Sequence, residues 1–218
     1  MSRSVFVHET IDIVGQGQYD YMEMVNREPA QHMPDMTSLQ GTFYILGFGG
    51  GHWPQVINIW DCGEDGWDGW GRNLDRLNLK RRKAFYGDWW DEAAQWRTGG
   101  FDRVCAGIPE SLTTKQIEES GIKGTLFLNE VLSVQPGRQI EYLNLVVKER
   151  SEFMTDHGIV PTGLWEVINN NHEVVMIWAT TIEQWVTFQK TRDTSLGLDT
   201  SGSKDDRILK WERSASKF

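Results

Sequence analysis

Two cysteines in 218 residues, Cys62 and Cys105, are too few for a disulfide scaffold, and without a CxxC pair they suggest no zinc site. No run approaches the roughly twenty apolar residues that a membrane span needs, and the opening MSRSVFVHETIDIVGQ has no signal-peptide core. Basic charge is scarce. The 22 Lys and Arg face 31 Asp and Glu, a formal charge of −9, which argues against nucleic acid or an anionic membrane as partner. LKRRK (79–83), the only concentrated basic run, reads as a solvated helix end. GxSxG and P-loop motifs are missing too, and no His/Cys/Asp cluster has metal-ligand spacing. These absences point to a soluble protein in a reducing, cytoplasmic setting.

Aromatic and apolar residues, by contrast, are plentiful. At 39% hydrophobic the chain can build a core, and seven of its 11 tryptophans fall between Trp53 and Trp96. Two phrases explain part of that number. VINIWDCGEDGW and VVMIWATTIEQW each end an apolar run in Trp and place a second Trp after six intervening residues. Sliding the chain on itself extends the match. VHETIDIVGQGQYDYMEMV lies over LNEVLSVQPGRQIEYLNLV, setting Glu9 on Glu130 and Tyr21 on Tyr142. Trp60, Trp67 and Trp70 then fall on Trp178, Trp185 and Phe188, and FDRVCAG resembles DDRILKW. Three segments in one order indicate two copies of one unit.

Each copy reads as strand, helix, strand, strand, helix, strand. LFLNEVLSV alternates at strand period, QPG turns the chain, and Ile140, Leu143, Val147 and Phe153 suit one helical face. HGIVPTGLWEVI and EVVMIWA flank the turn-rich NNNH as a hairpin, and Thr180 with Glu183 has capping-box spacing before a second helix. DDRILKW would supply the last short strand. The order βαββαβ is the ferredoxin-like split unit, so the expected class is α+β. Tandem repeats would pack their sheets as an internal α/β barrel of the dimeric type. The first unit is expected over 1–112, with a Trp-rich helical insertion at about 80–100, and the second over 122–218.

NEVLSVQPGRQIEYL, DHGIVPTGLWEV and HEVVMIWATTIEQW together resemble the NIPSNAP family of the dimeric α/β-barrel superfamily. The resemblance covers roughly Thr125 to Arg192. The first half joins it only through the internal repeat, and departs in GFGGGHWPQ, in NREPAQHMPDM and in the insertion. It implies a fold and a pocket between sheet and helices. The superfamily includes cofactor-free monooxygenases, lactone isomerases, polyketide cyclases and haem-dependent enzymes, so it implies no single reaction.

Glu9 and Glu130 each interrupt an apolar strand face, where a carboxylate must be paired, hydrogen-bonded or protonated. Because the Glu recurs in both copies, shared architecture explains it more simply than catalysis. Positions where the copies differ are better functional clues. His8 stands where the second copy has Asn129, and His52 where it has Asn170, and imidazole can shuttle protons where an amide cannot. His8, His52 and Glu9 are therefore the candidate catalytic residues, although a regular strand would send His8 and Glu9 to opposite faces. The glycines of GFGGGHWPQ suit a lid or a plain hairpin turn. Trp53, Tyr44, Phe85, Trp89 and Trp90 are the candidate substrate-binding residues, suited to a flat apolar ligand. The expected partner is thus an apolar or aromatic small molecule, with no cofactor required and a homo-oligomer open. The expected function is cofactor-independent acid/base chemistry of isomerase, lyase, cyclase or monooxygenase type. A non-catalytic ligand-binding or scaffold protein is one alternative. A haem protein, with His157 or His172 as ligand, is the other.

Overall fold

A computed structural model describes residues 3–27, 38–63, 65–75, 78 and 82–218, with backbone alone at 82–87. NREPAQHMPDM and most of LKRRK lie outside the described residues. The chain divides into two compact units, Met1–Ala106 and Gly107–Phe218. The boundary therefore falls a few residues before the expected 1–112 limit. Residues past it already belong to the second unit: the Ile108 and Leu112 amides donate to the Leu164 and Thr162 carbonyls.

The first unit runs β1 (Val5–Ile13), α1 (Gln18–Val25), β2 (Ser38–Tyr44), β3 (Gln55–Asp61), α2 (Trp67–Leu74), α3 (Arg82–Ala93) and β4 (Arg97–Gly107). Its strands pair antiparallel in the order β2-β3-β1-β4, the ferredoxin-like arrangement. Strand period sends Ile11 and Ile13 to the helices, where they join Tyr21, Met24, Val25, Val56, Trp60 and Ala93 in one core. Phe6, His8, Thr10, Ile57 and Ile59 point the other way, and that face is buried too. A side chain on Gly100 (φ +146°) would run into the Thr10 carbonyl, so only glycine lets β4 close on β1 there.

The second unit runs α4 (Thr114–Ser120), β5 (Leu126–Ser133), α5 (Gln139–Leu145), a π-helical turn (Val146–Arg150), α6 (Ser151–Asp156), β6 (Val160–Val167), β7 (Glu173–Thr180), α7 (Ile182–Ser195) and α8 (Asp206–Ala215). Within it the strands pair antiparallel in the order β6-β7-β5. Tyr142, Leu143, Val146, Phe153 and Met154 pack on Val174, Met176 and Trp178 of β7. The fold is thus α+β and ferredoxin-like, as the repeat implies.

One local feature adds to the expected order and two differ from it. The connection between the repeats forms α4, whose Thr113 and Gln116 make a capping box. The box before α7 uses Thr181 and Gln184 rather than Thr180 and Glu183, one residue later in a stretch where both spacings exist. DDRILKW is a helix, not a strand. Asp205 caps it by accepting from the Arg207 amide at 3.0 Å, and Ile208 and Trp211, three residues apart, are the buried pair. Its likeness to FDRVCAG is one of letters, because FDRVCAG carries no such cap.

Asp205 also lies 3.4 Å from His157 Nε2 and accepts from the Arg207 guanidinium at 2.8 Å, so one carboxylate ties α8 to the end of α6. Asp205→Ala is expected to cost about 1–2 kcal/mol. Urea unfolding followed by far-UV circular dichroism measures it, and a strand at 206–215 would show no such loss.

Candidate functional site

Glu9 stands in the middle of β1 opposite Asn58 on β3 and Asp102 on β4. Side chains directly opposite one another in an antiparallel pair share a face. All three therefore point toward the helices, and their hydrogen bonds show how the buried carboxylate is held. Its Oε2 accepts from Asn58 Nδ2 at 2.9 Å and from the Trp60 indole at 3.0 Å. Asn58 is fully buried and oriented in turn, since the Thr42 hydroxyl donates to its Oδ1 at 2.7 Å while its Nδ2 also reaches the Tyr21 hydroxyl at 3.1 Å. The other carboxylate oxygen faces Arg97 at 3.7 Å, an ion pair without a short hydrogen bond. Arg97 in turn lies over the Trp90 ring, 4.4 Å from its centre.

Two carboxylates thus share one guanidinium. The Asp102 carboxyl is raised to about 6, through water displaced by surrounding protein and the like charge of Glu9, against the pull of Arg97. Asp102 as a residue is exposed, so the Glu9 charge is the firmer of the two causes. Burial and then the Glu9 charge also push the Tyr21 phenol upward, keeping it neutral.

The second unit repeats this arrangement in closed form. Trp178 donates to Glu130 Oε2 at 2.7 Å, as Trp60 does to Glu9. Arg150 from the π-helical turn then grips both Glu130 oxygens at 2.8 Å and lies 4.9 Å from the Trp178 ring centre. Met176 replaces Asn58 opposite the glutamate. The carboxylate–indole bond is therefore architecture common to both copies. What differs is that the first copy's second oxygen is only loosely held.

The candidate residues scatter. His8 is fully buried on the face away from Glu9, as a regular strand requires. His52 sits in the exposed loop beyond the Asp12 end of β1, where Gln55 Nε2 lies 3.4 Å from its Nδ1 and donates to Asp12 at 2.8 Å. Four strand residues, roughly 13 Å, separate the levels of the two histidines. Trp53, in the same loop, is half exposed. Tyr44 packs on Tyr19 at 5.2 Å between ring centres, and their hydrogen bond raises its phenol pKa. Trp89 packs on the first unit's core and meets Trp90 edge to face at 4.9 Å. The side chain of Phe85 lies outside the described residues. Of these candidates, Glu9 and Trp90 are brought together through Arg97.

Arg97 and Asp102 carried no signal of their own, because only the register of β4 on β1 places Asp102 opposite Glu9. Tyr21 did carry one, as a tyrosine repeated at Tyr142. Cys62 offers no thiolate, since burial and the Asp61 charge push it up to about 12 against a hydrogen bond from Asn73.

Among the described residues no group of three or more His, Cys, Asp or Glu could hold a metal ion, and no helix is long and apolar enough to cross a membrane. Haem does not fit the described histidines. It needs an imidazole on the wall of an apolar cavity. His157 is engaged by Asp205 and packs edge-on against Phe188, His52 and His172 sit in exposed turns, and His8 has no accessible surface. An open polar depression of about 520 Å³ lies in the second unit, between Gln139 and the 166–172 hairpin. Its amide-rich lining suits water better than an apolar ring.

The architecture is that of a tandem ferredoxin-like α+β protein. No family model matches the chain, and no curated protein does. Among solved structures it is similar to one named as a putative monooxygenase from Lactobacillus acidophilus NCFM, at 13% identity and TM-score 0.59, covering 99% of this chain and 88% of that one. A second so named, from Fusobacterium nucleatum subsp. nucleatum ATCC 25586, is similar at 9% identity and TM-score 0.56, covering 92% of this chain and 89% of that one. An uncharacterized NIPSNAP-like domain protein from Burkholderia xenovorans is similar over 50% of this chain and 90% of its own, at 16% identity and TM-score 0.40. The first two share this chain's fold.

A raised Asp102 pKa has a definite sign for stability. The native state holds the proton more tightly than the unfolded chain, so this contribution is complete below the unfolded value near 4 and is lost as pH rises through about 6. Asp102→Asn removes the penalty on the charged form. It is expected to stabilise the protein at pH 8 by up to about 1 kcal/mol, the limit solvent screening sets, with no gain below about pH 4. Urea unfolding at pH 4, 6 and 8 reads this directly.

Proposed function

We propose that this protein is a small-molecule enzyme that applies acid/base chemistry to an apolar, aromatic or cyclic compound. The observation supporting this reading is the Glu9–Asp102 pair around Arg97, with one carboxylate fixed and the other exposed. Asp102, with a pKa of about 6, is poised as a general base near neutral pH. Glu9 is held by Asn58 and Trp60 and sustains that pKa by its charge. Trp90, Trp89 and Tyr44 supply aromatic surface nearby, and Trp53 stands at the loop. Proton handling thus moves from His8 and His52 to the carboxylate pair.

In this scheme Asp102 takes a proton from an acidic C–H or O–H of the substrate. The anion left behind can isomerise, eliminate or cyclise. In the monooxygenase variant the substrate supplies its own electrons, a CH₂ group and O₂ becoming C=O and H₂O. The names of the two fold neighbours support carrying that variant, and no step runs through haem. The setting would be soluble small-molecule metabolism in the cytoplasm, without nucleic acid or membrane as partner and with a homo-oligomer compatible.

A second reading, a non-catalytic ligand-binding or scaffold protein, draws on Glu130. There the same carboxylate–indole bond is closed by Arg150 and leaves no oxygen for a substrate.

Turnover of a panel of CH-acidic cyclic ketones, lactones and hydroxyarenes, followed by absorbance and oxygen uptake, separates the two readings. For the enzyme, kcat/KM rises with pH through about 6 and then levels. Glu9→Gln and Asp102→Asn each lower kcat by on the order of 100-fold, whereas Glu130→Gln leaves it within about threefold. A panel in which the wild type turns over no compound faster than those two variants favours the scaffold.

A further inference from the structure

The internal repeat separates polar groups that the fold requires from those it does not. In the first unit Glu9 on β1 stands opposite Asn58 on β3, and Asn58 stands opposite Thr42 on β2. The same three places in the second unit hold Glu130 on β5, Met176 on β7 and Leu164 on β6. Met176 and Leu164 are buried in that unit's core, so an apolar pair suffices for the architecture. A fully buried amide in the same place must be hydrogen-bonded or destabilise the sheet, and the Thr42–Asn58 pair therefore calls for a further reason.

Its hydrogen bonds supply one. A side-chain amide offers two N–H donors and one carbonyl acceptor, and Asn58 uses both ends. Its Nδ2 donates to Glu9 Oε2 at 2.9 Å and to the Tyr21 hydroxyl at 3.1 Å, while Oδ1 accepts from the Thr42 hydroxyl at 2.7 Å. A donor aimed at a carboxylate favours its charged form. Turned end for end, the amide would set Oδ1 against Glu9, an arrangement that suits a protonated carboxyl instead. Thr42 holds the first orientation. In the second unit Arg150 supplies the same support through two bonds of 2.8 Å, whereas Arg97 stays 3.7 Å from Glu9. Trp60 donates to Glu9 as well, and Tyr21 from α1 and Asp102 and Arg97 from β4 act on its charge. Of the remaining charged groups on α1 and α3, Glu92 pairs with Arg27 at 2.8 Å, and Asp20, Glu23, Asp88 and Asp91 are exposed.

We infer that Asn58, oriented by Thr42, decides which of two neighbouring carboxylates holds the proton they share, keeping Glu9 charged and leaving the proton to Asp102. Two like charges that repel each other titrate as a pair, and the first proton goes where the charged form is less favoured. Asn58 is thus a positioning residue that acts on the proposed base through Glu9. The inference rests on the carboxylate-pair reading and names the group that tunes it.

The test uses the full-length protein and carbon-detected NMR of the Glu9 and Asp102 carboxyls from about pH 4 to about 8. Asn58→Leu keeps the shape and removes the amide, Thr42→Val keeps the shape and removes the hydroxyl, and Thr42→Ser keeps the hydroxyl. In the wild type the proton taken up at about 6 is expected on Asp102 and not on Glu9. In Asn58→Leu the two exchange: Glu9 takes the proton, and the Asp102 midpoint falls by at least about one pH unit. Thr42→Val is expected to move Asp102 the same way by less, and Thr42→Ser to leave it at about 6. A pair with a purely structural role would lower the Tm without moving the proton. An Asp102 midpoint that stays at about 6 in Asn58→Leu and Thr42→Val overturns the inference and leaves the carboxylate-pair reading standing. Should Asn58→Leu fail to fold, the two Thr42 variants decide in the same way. A wild type in which the step at about 6 belongs to Glu9, or is missing, overturns both.

Discussion

A carboxylate in the middle of an apolar strand face is the constraint around which each half of this protein is built. Left alone it would have to be protonated or expose the strand to water, since desolvating an unpaired charge costs more than a small core returns. Both units meet the problem with an indole N–H from the strand hydrogen-bonded alongside, at 3.0 Å from Trp60 in one and 2.7 Å from Trp178 in the other. That bond links β1 to β3 in the first unit and β5 to β7 in the second, and places a large ring in the core beside the carboxylate. The apolar cluster on the helix side of each unit's strands includes that ring.

From this shared start the two copies diverge in how the remaining charge is met. The second brings an arginine from a π-helical turn and closes both oxygens with bidentate bonds, a geometry that spends the carboxylate on stability. The first brings its arginine from the start of β4, holds it over Trp90 and leaves it 3.7 Å away. It also sets a second carboxylate, Asp102, across from the first. Duplication makes such divergence tolerable, because one copy can carry an incompletely satisfied cluster while the other stays closed. The Gln18 side-chain carbonyl and the Trp89 indole of the first unit are buried without a hydrogen-bond partner, as is one oxygen of Glu149 in the second.

Much of the fold was legible because it rests on local periodicity and repetition. Strand alternation around Glu130, the turn at Gln135–Gly137 and the apolar runs ending in Trp60 and Trp178 mark elements that the structure contains. Where reading failed, a cap or a pairing decided the matter. Asp205 begins a helix in DDRILKW, and the matched letters of FDRVCAG carry no trace of that. The candidate site was less legible for the same reason. Glu9 and the tryptophans could be singled out from position and repetition, but Asp102 and Arg97 reach Glu9 only through the pairing of β4 with β1, across about ninety residues of chain. His8 and His52 drew attention through chemistry rather than placement, and the strand carries one to the opposite face while the loop carries the other into solvent.

The acid/base role of the pair depends on the Glu9 charge acting on Asp102. Carbon-detected NMR of the aspartate and glutamate carboxyls, followed across pH in the wild type and in Glu9→Gln, tests this most directly. Asp102 is expected to titrate at about 6 and to move down toward the ordinary aspartate range when the Glu9 charge is removed. An Asp102 that titrates near 4 in both proteins would contradict it, and with it the acid/base role of the pair.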